Sequence, residues 1–268
     1  MNDVADARRA LLLLDLTDLG NSPTTADTDR LCRRAVGRAG SVAAVCLWPR
    51  WVARAVVRLA GSGVRIATVV NFPDGGDDIG AVVAETAQAL ADGADEIDMV
   101  LPYRSITIGR VDIAASMIDA VRAEVAAPQR LKVILETGEL ANLDVVRAAA
   151  RLAIDHGADF VKSSTGKTAV SATRGAVEAM LHEIAASGRP VGIKPSGGIR
   201  TLDDARGYLH LADTIMGDQW ASPTTFRFGA SGLLDVLEAI IAGTHEVLVA
   251  ESRVAESRVA GSRVADTY

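Results

Sequence analysis

The chain has 268 residues, of which 49% are hydrophobic, and a formal net charge of −6. This length and composition suit one large α/β domain, or two small ones, with a sizeable core. Because lysine and arginine are scattered along an acidic chain, we expect no nucleic-acid partner.

The N-terminal segment and the cysteine content indicate a cytoplasmic protein. No apolar run approaches the roughly 20 residues that a membrane-spanning helix needs, so we expect no membrane partner. The segment RRALLLLDLTDL resembles a signal peptide, but Asp15 limits its apolar core to about five residues, which is too short. Two cysteines, Cys32 and Cys46, are too few for a disulfide framework.

Short β-like runs alternate with amphipathic helical segments along the chain. Most of these runs are almost continuously apolar, which is typical of parallel strands covered on both faces. The predicted strands are residues 10–17, 41–48, 65–72, 96–101, 131–137, 159–164, 191–196 and 213–217. Helical periodicity is clearest at residues 79–90, 177–184 and 231–242.

Eight strands, each followed by a helix, predict a (β/α)8 TIM barrel in residues 1–245. A doubly wound sheet is the alternative, because alternation alone does not separate the two folds, but the strand count favours the barrel. No composition break marks a second domain. Residues 246–268 differ, since ESRVAESRVAGSRVADTY repeats a five-residue unit that fits neither a helix face nor a strand face. We expect a short, flexible C-terminal tail.

Polar or reactive side chains lie near the ends of seven of the eight predicted strands. In a barrel, the carboxyl ends of the strands form the floor of the active site. Most of the preceding strand residues are apolar, so the polar groups are concentrated at one rim. These side chains are Asp15, Cys46, Asn71, Asp98, Glu136, Lys162 and Lys194.

Two related segments predict that Asp98 and Lys162 lie at the same depth. DGADEIDMV (92–100) and HGADFVKSS (156–164) share Gly-Ala-Asp, and each charged residue follows its glycine by five positions. Because alternate strands fill each barrel layer, we expect these two side chains to face one another inside, with Lys194 beside them. A structural ion pair is the alternative. Two lysines beside fewer central carboxylates argue against it, since a structural site gains little from a second cation.

A buried lysine beside a second lysine is suited to covalent carbonyl chemistry. Burial and a neighbouring cation both favour the neutral amine, which is the nucleophilic form. That amine can form a Schiff base, an electron sink for making or breaking an adjacent C–C bond, while Asp98 moves protons. We expect no metal ion and no cofactor, because the histidines all fall in or beside predicted helices: His156, His182, His210 and His245.

Glycines cluster after three late strands, in STGK (164–167), PSGGIR (195–200) and FGASG (228–232). The last opens a predicted helix whose free N–H groups would face an anion. Barrel enzymes often hold phosphate at this place. The predicted phosphate ligands are backbone amides near Gly166, Gly197, Gly198, Ser231 and Gly232, with the Ser231 hydroxyl.

Eight motifs, in order over almost the whole domain, resemble the deoxyribose-phosphate aldolase family of class I, TIM-barrel aldolases. The motifs are LDLT (14–17), VCLWPR (45–50), VVNFPDGG (69–76), EIDMVLPYR (96–104), LKVILETGEL (131–140), ADFVKSSTGK (158–167), GIKPSGGIR (192–200) and FRFGASGLL (226–234). The family cleaves 2-deoxy-D-ribose 5-phosphate reversibly into acetaldehyde and D-glyceraldehyde 3-phosphate. The resemblance therefore implies a phosphosugar as the partner.

The resemblance also implies roles for individual residues. Lys162 would be the Schiff-base lysine, Lys194 the lysine that perturbs it and shares in proton transfer, and Asp98 the general acid/base. The substrate pocket would be lined by Asp15, Thr17 and Cys46. In some members a C-terminal tyrosine enters the active site, a role that would fall to Tyr268.

The sequence leaves other readings open. The chain departs from the family pattern in two places. ESRVA repeats precede the final tyrosine, and Gly232 stands where a second serine is common. A Schiff-base lyase with another acceptor aldehyde is one alternative, and a catalytically silent phosphosugar-binding barrel is the other. Barrels of this kind commonly form homodimers, but no surface stripe in the sequence fixes the oligomeric state.

Overall fold

The computed structural model describes residues 2–244, which contain an eight-stranded parallel barrel. The strands are β1 (Leu14–Asp18), β2 (Ala44–Leu47), β3 (Arg65–Val70), β4 (Glu96–Val100), β5 (Arg130–Ile134), β6 (Phe160–Lys162), β7 (Gly192–Lys194) and β8 (Phe228–Ala230). From β1 to β7 each strand pairs with the next along the chain, and β8 pairs with β1. A two-residue antiparallel ribbon joins residues 36–37 to 40–41 outside the barrel.

The sheet closes between β7 and β8 through backbone hydrogen bonds. Ile193 N donates to Thr225 O at 2.8 Å, and Arg227 N donates to Ile193 O at 2.9 Å. Further along the two strands, Gly229 N donates to Pro195 O at 2.8 Å. The predicted (β/α)8 barrel is therefore confirmed, and the doubly wound sheet was the wrong alternative. The predicted tail, residues 246–268, lies outside the described residues.

Ten α-helices surround the barrel in residues 2–244. Several begin at a side-chain cap, and Thr24 and Thr201 each form a reciprocal capping box with the aspartate three residues later. Each of these helices is too short or too polar to cross a lipid bilayer. The helices are α1 (Asp3–Leu12), α2 (Thr25–Ala35), α3 (Val52–Leu59), α4 (Ile79–Ala91), α5 (Tyr103–Thr107), α6 (Val111–Glu124), α7 (Leu143–Asp155), α8 (Arg174–Ser187), α9 (Leu202–Met216) and α10 (Leu233–Ile241).

The first predicted strand, residues 10–17, was wrong in its first part. Helix α1 continues to Leu12, and β1 begins only at Leu14. Asn2 caps the start of the helix, because its side chain accepts a hydrogen bond from Ala5 N. The helix buries alanine and leucine at helical spacing. The short apolar run therefore contains the end of a helix and the start of a strand.

The eighth predicted strand, residues 213–217, was also wrong. Residues 213–216 form the last turn of α9, whose capping box and apolar spacing make it a helix throughout. The true eighth strand is FGA, residues 228–230, which lies in a segment predicted to be a glycine-rich loop. Gly229 stands there because a Cβ atom would collide with Ser196 and approach Lys194 Cε to 3.2 Å.

Side chains alternate between the inside of the barrel and the helix layer, as the period of a strand requires. Ile97, Met99 and Val161 pack into the apolar core shared with the helices. Asp98, between Ile97 and Met99, and Lys162, directly after Val161, point into the barrel. The interior thus contains a charged centre where most barrels have apolar layers.

Candidate active site

Seven charged side chains join by ion pairs inside the barrel, and we call them the interior ion cluster. Each is at most 3% exposed. Charges this deeply buried need ionic partners, because desolvation is otherwise prohibitive. The cluster consists of three carboxylates and four cations: Asp15, Glu96, Asp98, Lys132, Lys162, Lys194 and Arg227.

Asp98, on β4, is the centre of the cluster. Its Oδ1 accepts a hydrogen bond from Lys132 Nζ at 2.6 Å. Its Oδ2 accepts two, from Lys162 Nζ at 2.8 Å and from Lys194 Nζ at 2.7 Å. The prediction that Asp98 and Lys162 face one another beside Lys194 is confirmed. The Cys46 thiol is a fourth neighbour, with Sγ 3.9 Å from Oδ2.

Asp15 lies on the other side of Lys194. Its Oδ2 is 2.5 Å from Lys194 Nζ, and its Oδ1 accepts from Arg227 Nη1 at 2.5 Å. Arg227 also binds Glu96, with Nη2 2.8 Å from Oε1. The prediction that cations outnumber carboxylates is confirmed, but the cluster is larger than predicted. Four cations face three carboxylates, since Lys132, Glu96 and Arg227 also belong to it.

Burial and neighbouring charge move the pKa of Lys162 in the direction that nucleophilic catalysis needs. Burial lowers this pKa, and the adjacent Lys194 ammonium lowers it further, which together outweigh the Asp98 carboxylate. For Lys194, burial also acts to lower the pKa, but the carboxylates of Asp15 and Asp98 outweigh it and the net pKa is raised. Lys194 is therefore the charged lysine of the pair.

The pKa of Asp98 lies well below its usual value. Burial acts to raise it, but the ammonium groups of Lys132, Lys162 and Lys194 prevail. Asp98 is consequently a carboxylate at neutral pH. Burial raises the pKa of Cys46, so its thiol stays protonated at neutral pH.

A cavity of about 660 Å³ opens above the cluster at the carboxyl ends of the strands. Lys162 is the one member of the interior ion cluster among the described residues that line it. All five predicted phosphate ligands line the same cavity, and the exposed side chains Lys167 and Arg200 join them: Gly166, Gly197, Gly198, Ser231 and Gly232. The barrel thus brings the predicted nucleophile and the predicted anion site together.

The loop after β6 is fixed by Glu136, another of the polar residues predicted at the strand ends. This buried carboxylate accepts hydrogen bonds from the hydroxyls of Ser164 at 2.6 Å and Thr168 at 3.1 Å, and from Thr165 N at 3.2 Å. The next loop is tied to this one, because Ser196 N donates to Ser163 Oγ at 2.9 Å. The glycine loops after β6 and β7 are therefore joined by hydrogen bonds to Glu136 and to each other beside the cavity.

The predicted pocket residues occupy different places. Thr17 lines the cavity. Asp15 and Cys46 are fully buried, in contact with Lys194 and Asp98. Tyr268 lies outside the described residues. Within residues 2–244, no group of three or more His, Cys, Asp or Glu side chains is arranged to hold a metal ion.

Three members of the cluster were not predicted from the sequence: Glu96, Lys132 and Arg227. The alternation of side chains along a strand could have indicated Glu96. Glu96 is two residues before Asp98 and therefore on the same face. Lys132 lies near the start of the predicted fifth strand, whereas the strand-end pattern points only to Glu136 at its other end. The chain has four lysines, and each lies in the cluster or at the cavity: Lys132, Lys162, Lys167 and Lys194.

Comparison with known proteins places this site in a family. Residues 9–237 match the sequence profile described as DeoC/LacD family aldolase. The chain is 52% identical over 238 residues to the deoxyribose-phosphate aldolase of Agrobacterium fabrum strain C58, covering 88% of this chain and 92% of that protein.

Solved structures agree with the sequence match. A Coccidioides immitis crystal structure, assigned as a deoxyribose-phosphate aldolase, is 31% identical, with a TM-score of 0.77 and coverage of 87% and 86% of the two chains. A Toxoplasma gondii ME49 structure with the same assignment is 26% identical, with a TM-score of 0.82 and coverage of 90% and 98%.

The fold and the comparisons identify a barrel enzyme of the aldolase class, a carbon–carbon lyase. The chain belongs to the DeoC/LacD aldolase family.

Proposed function

We propose that this chain is a deoxyribose-phosphate aldolase, which cleaves 2-deoxy-D-ribose 5-phosphate reversibly to D-glyceraldehyde 3-phosphate and acetaldehyde through a Schiff base on Lys162. The observation that carries the proposal is the position of Lys162. It alone of the described cluster reaches the cavity, where glycine loops suited to an anion line the wall. The name of the Agrobacterium fabrum relative supports the choice of substrate.

The first step is attack of the neutral Lys162 amine on the C1 aldehyde of the open-chain sugar. Loss of water from the adduct gives a protonated Schiff base. Burial and the Lys194 ammonium lower the pKa of this amine, which favours its neutral form. Asp98 Oδ2, 2.8 Å from Lys162 Nζ, orients the amine toward the cavity.

The second step breaks the C2–C3 bond. The C3 hydroxyl loses its proton, the C2–C3 electron pair moves into the iminium to form an enamine, and C3 to C5 leave as D-glyceraldehyde 3-phosphate. Asp98 is ionised and is placed to accept the proton, directly or through water. Lys194, hydrogen-bonded to the same oxygen, would share in returning a proton to C2. Hydrolysis of the resulting imine releases acetaldehyde.

The substrate phosphate fits the glycine-rich side of the cavity. Gly197 and Gly198 have φ angles of +84° and +78°, a left-handed backbone that glycine adopts without strain, and both line this side of the cavity. Gly197 N already donates to Gly229 O at 3.3 Å, so the anion would draw on the Gly198 amide here. Helix α10 begins at Leu233, directly after Ser231 and Gly232, with no side chain capping its first turn. An anion bound there would satisfy the free N–H groups.

Reductive trapping tests the proposal. Incubation with acetaldehyde and borohydride should attach an ethyl group to Lys162, which peptide mapping by mass spectrometry locates. Lys162→Arg should abolish the label. Lys167→Arg is the matched control, because it changes the lysine at the cavity that does not touch Asp98, and it should leave the Lys162 label intact.

The alternatives are separated by the same assay. A catalytically silent phosphosugar-binding barrel would bind the sugar phosphate in calorimetry but give no trapped adduct. A label on Lys194 or Lys167 instead of Lys162 would contradict the assigned nucleophile. A lyase for another acceptor aldehyde would show the label but would not release D-glyceraldehyde 3-phosphate from deoxyribose 5-phosphate.

Four accompanying proposals concern the setting of the reaction. The iminium is itself the electron sink, so turnover should persist after incubation with a chelator. Removal of the last residues should slow turnover if Tyr268 takes part in proton transfer, and an unchanged rate would end that proposal. A cytoplasmic location and a homodimer stay predictions of the sequence, the second open to sedimentation analysis.

A further inference from the structure

A second layer of charge lies beneath the reacting groups, and the proposed reaction does not touch it. Lys132 Nζ is 2.6 Å from Glu96 Oε2, 2.6 Å from Asp98 Oδ1 and 3.6 Å from Asp15 Oδ2. Arg227 Nη2 is 2.8 Å from Glu96 Oε1. None of these three side chains, Lys132, Glu96 and Arg227, lines the cavity.

The cluster carries one more positive than negative charge when every member is ionised. The members and their neighbours come from seven of the eight strands or the residues beside them: Asp15 on β1, Cys46 on β2, Glu96 and Asp98 on β4, Lys132 on β5, Lys162 on β6, Lys194 on β7 and Arg227 before β8. Glu136, a further buried carboxylate, binds hydroxyl and amide groups and forms no ion pair with these cations in the described residues.

Contacts show which cation bears the unbalanced charge. Lys132 contacts three carboxylates, and Lys194 and Arg227 contact two each. Lys162 contacts one, through an oxygen that it shares with Lys194. The least compensated cation is therefore the one at the cavity.

We infer that Lys132 and Glu96 are positioning residues that set the charge state of Lys162 from beneath, through Asp98. Lys132 and Lys162 bind opposite oxygens of one carboxylate, so each competes for the negative charge of Asp98. With Lys132 in place, loss of one proton from Lys162 brings the cluster to neutrality. Without Lys132, the cluster is already neutral with Lys162 charged, and the nucleophile stays protonated.

The directions of the lysine pKa values agree with this geometry. The pKa values of Lys132 and Lys194 are raised, because carboxylates outweigh the effect of burial. Among the cluster lysines, only the pKa of Lys162 is lowered. The inference deepens the proposed function and rests on Lys162 as the Schiff-base residue.

The test uses three full-length variants: Lys132→Met, Glu96→Gln and the double variant. The measurement is the rate of acetaldehyde trapping on Lys162 with cyanoborohydride as a function of pH, together with kcat/KM. We expect the acid limb of Lys132→Met to move to higher pH by about one pH unit or more, because a cation near the amine is gone. Glu96→Gln should move it to lower pH, and the double variant should return it close to wild type.

A merely structural layer would give another result. Activity or stability would fall in each variant while the pH of the acid limb stayed unchanged, or the acid limb would move in the same direction in Lys132→Met and Glu96→Gln. Either outcome would overturn the inference. Glu183→Gln is the matched control, since its ion pair with Arg151 lies in the outer helices and should leave the limb unmoved. If Lys132→Met does not fold, Glu96→Gln and the double variant decide.

Failure of the proposed function is visible separately. If wild-type protein is not labelled on Lys162, the Schiff-base assignment fails before any variant is compared. If wild type is labelled but the acid limb stays fixed in Glu96→Gln, only the inference about the lower layer fails.

Discussion

Replacing Lys194 by methionine tests whether positive charge beside Lys162 creates the nucleophile. Methionine approximates the length of the lysine side chain without its charge. Asp98 Oδ2 lies 2.7 Å from Lys194 Nζ and 2.8 Å from Lys162 Nζ, so the two nitrogens are at most about 5.5 Å apart. Lys194→Met removes that repulsion and leaves Asp98 more available to the Lys162 ammonium.

The magnitude follows from this distance. Two unit charges about 5.5 Å apart repel by about 3 kcal/mol at an effective dielectric constant of about 20. Since about 1.4 kcal/mol is a factor of ten, the ratio of neutral to charged Lys162 should fall about a hundredfold at neutral pH. The rate of imine formation should fall by the same factor.

Single-turnover trapping of acetaldehyde, followed by mass spectrometry against pH, measures the change. The deficit of Lys194→Met should shrink as pH rises, because alkali restores the neutral amine. Lys167→Met is the matched control, since it removes a cavity charge whose Nζ binds Leu19 O at 2.7 Å instead of Asp98. Trapping at an undiminished rate, or a deficit independent of pH, would refute the reasoning.

Three further predictions concern the cluster and its surroundings. Asp98→Asn should lower the free energy of unfolding by about 3–5 kcal/mol, measured in urea, because three buried lysines lose a carboxylate, and should lower kcat by about 10²- to 10⁴-fold. Gly229→Ala should cost about 1–3 kcal/mol of stability, because its Cβ collides with Ser196, whereas Gly232→Ala, with nothing within 4 Å of its Cβ, should unfold close to wild type. The three interior carboxylates have lowered pKa values in the folded protein, so the unfolded chain binds protons at higher pH. Their stabilisation should be complete above the ordinary carboxyl pKa of about 4 and lost as pH falls below it, which thermal unfolding against pH would show as a falling Tm; a Tm independent of pH in this range would contradict it.

The barrel and the central pair were predictable because they depend on local periodicity. Apolar runs alternating with helical segments define parallel strands and their covering helices. Two equal offsets from a glycine gave the depth of Asp98 and Lys162, since a strand advances by a fixed rise per residue.

The eighth strand was not predictable from composition. FGA is short and contains glycine because the space above Gly229 is taken by Ser196 and Lys194, a constraint that arises only when distant strands meet. The same holds for Arg227, which enters the interior from a segment with the composition of a loop.

The lower layer of the ion cluster was missed for a related reason. Strand-end position is a good guide to groups that face substrate, but it says nothing about charges buried further down. Lys132, like Lys162, is an ammonium group in an apolar strand. Its burial is explained by the carboxylates of Glu96 and Asp98, which project from the neighbouring strand.

The confinement of lysine to the barrel has a practical consequence for handling the protein. Three of the four lysines are buried in the ion cluster, so reagents such as succinimidyl esters or glutaraldehyde find one exposed lysine in the described chain, Lys167, at the cavity entrance. Apart from the terminal α-amine, coupling through amines would therefore obstruct the route to the active site. Attachment through surface carboxylates, which are abundant on the helices, would keep that entrance clear.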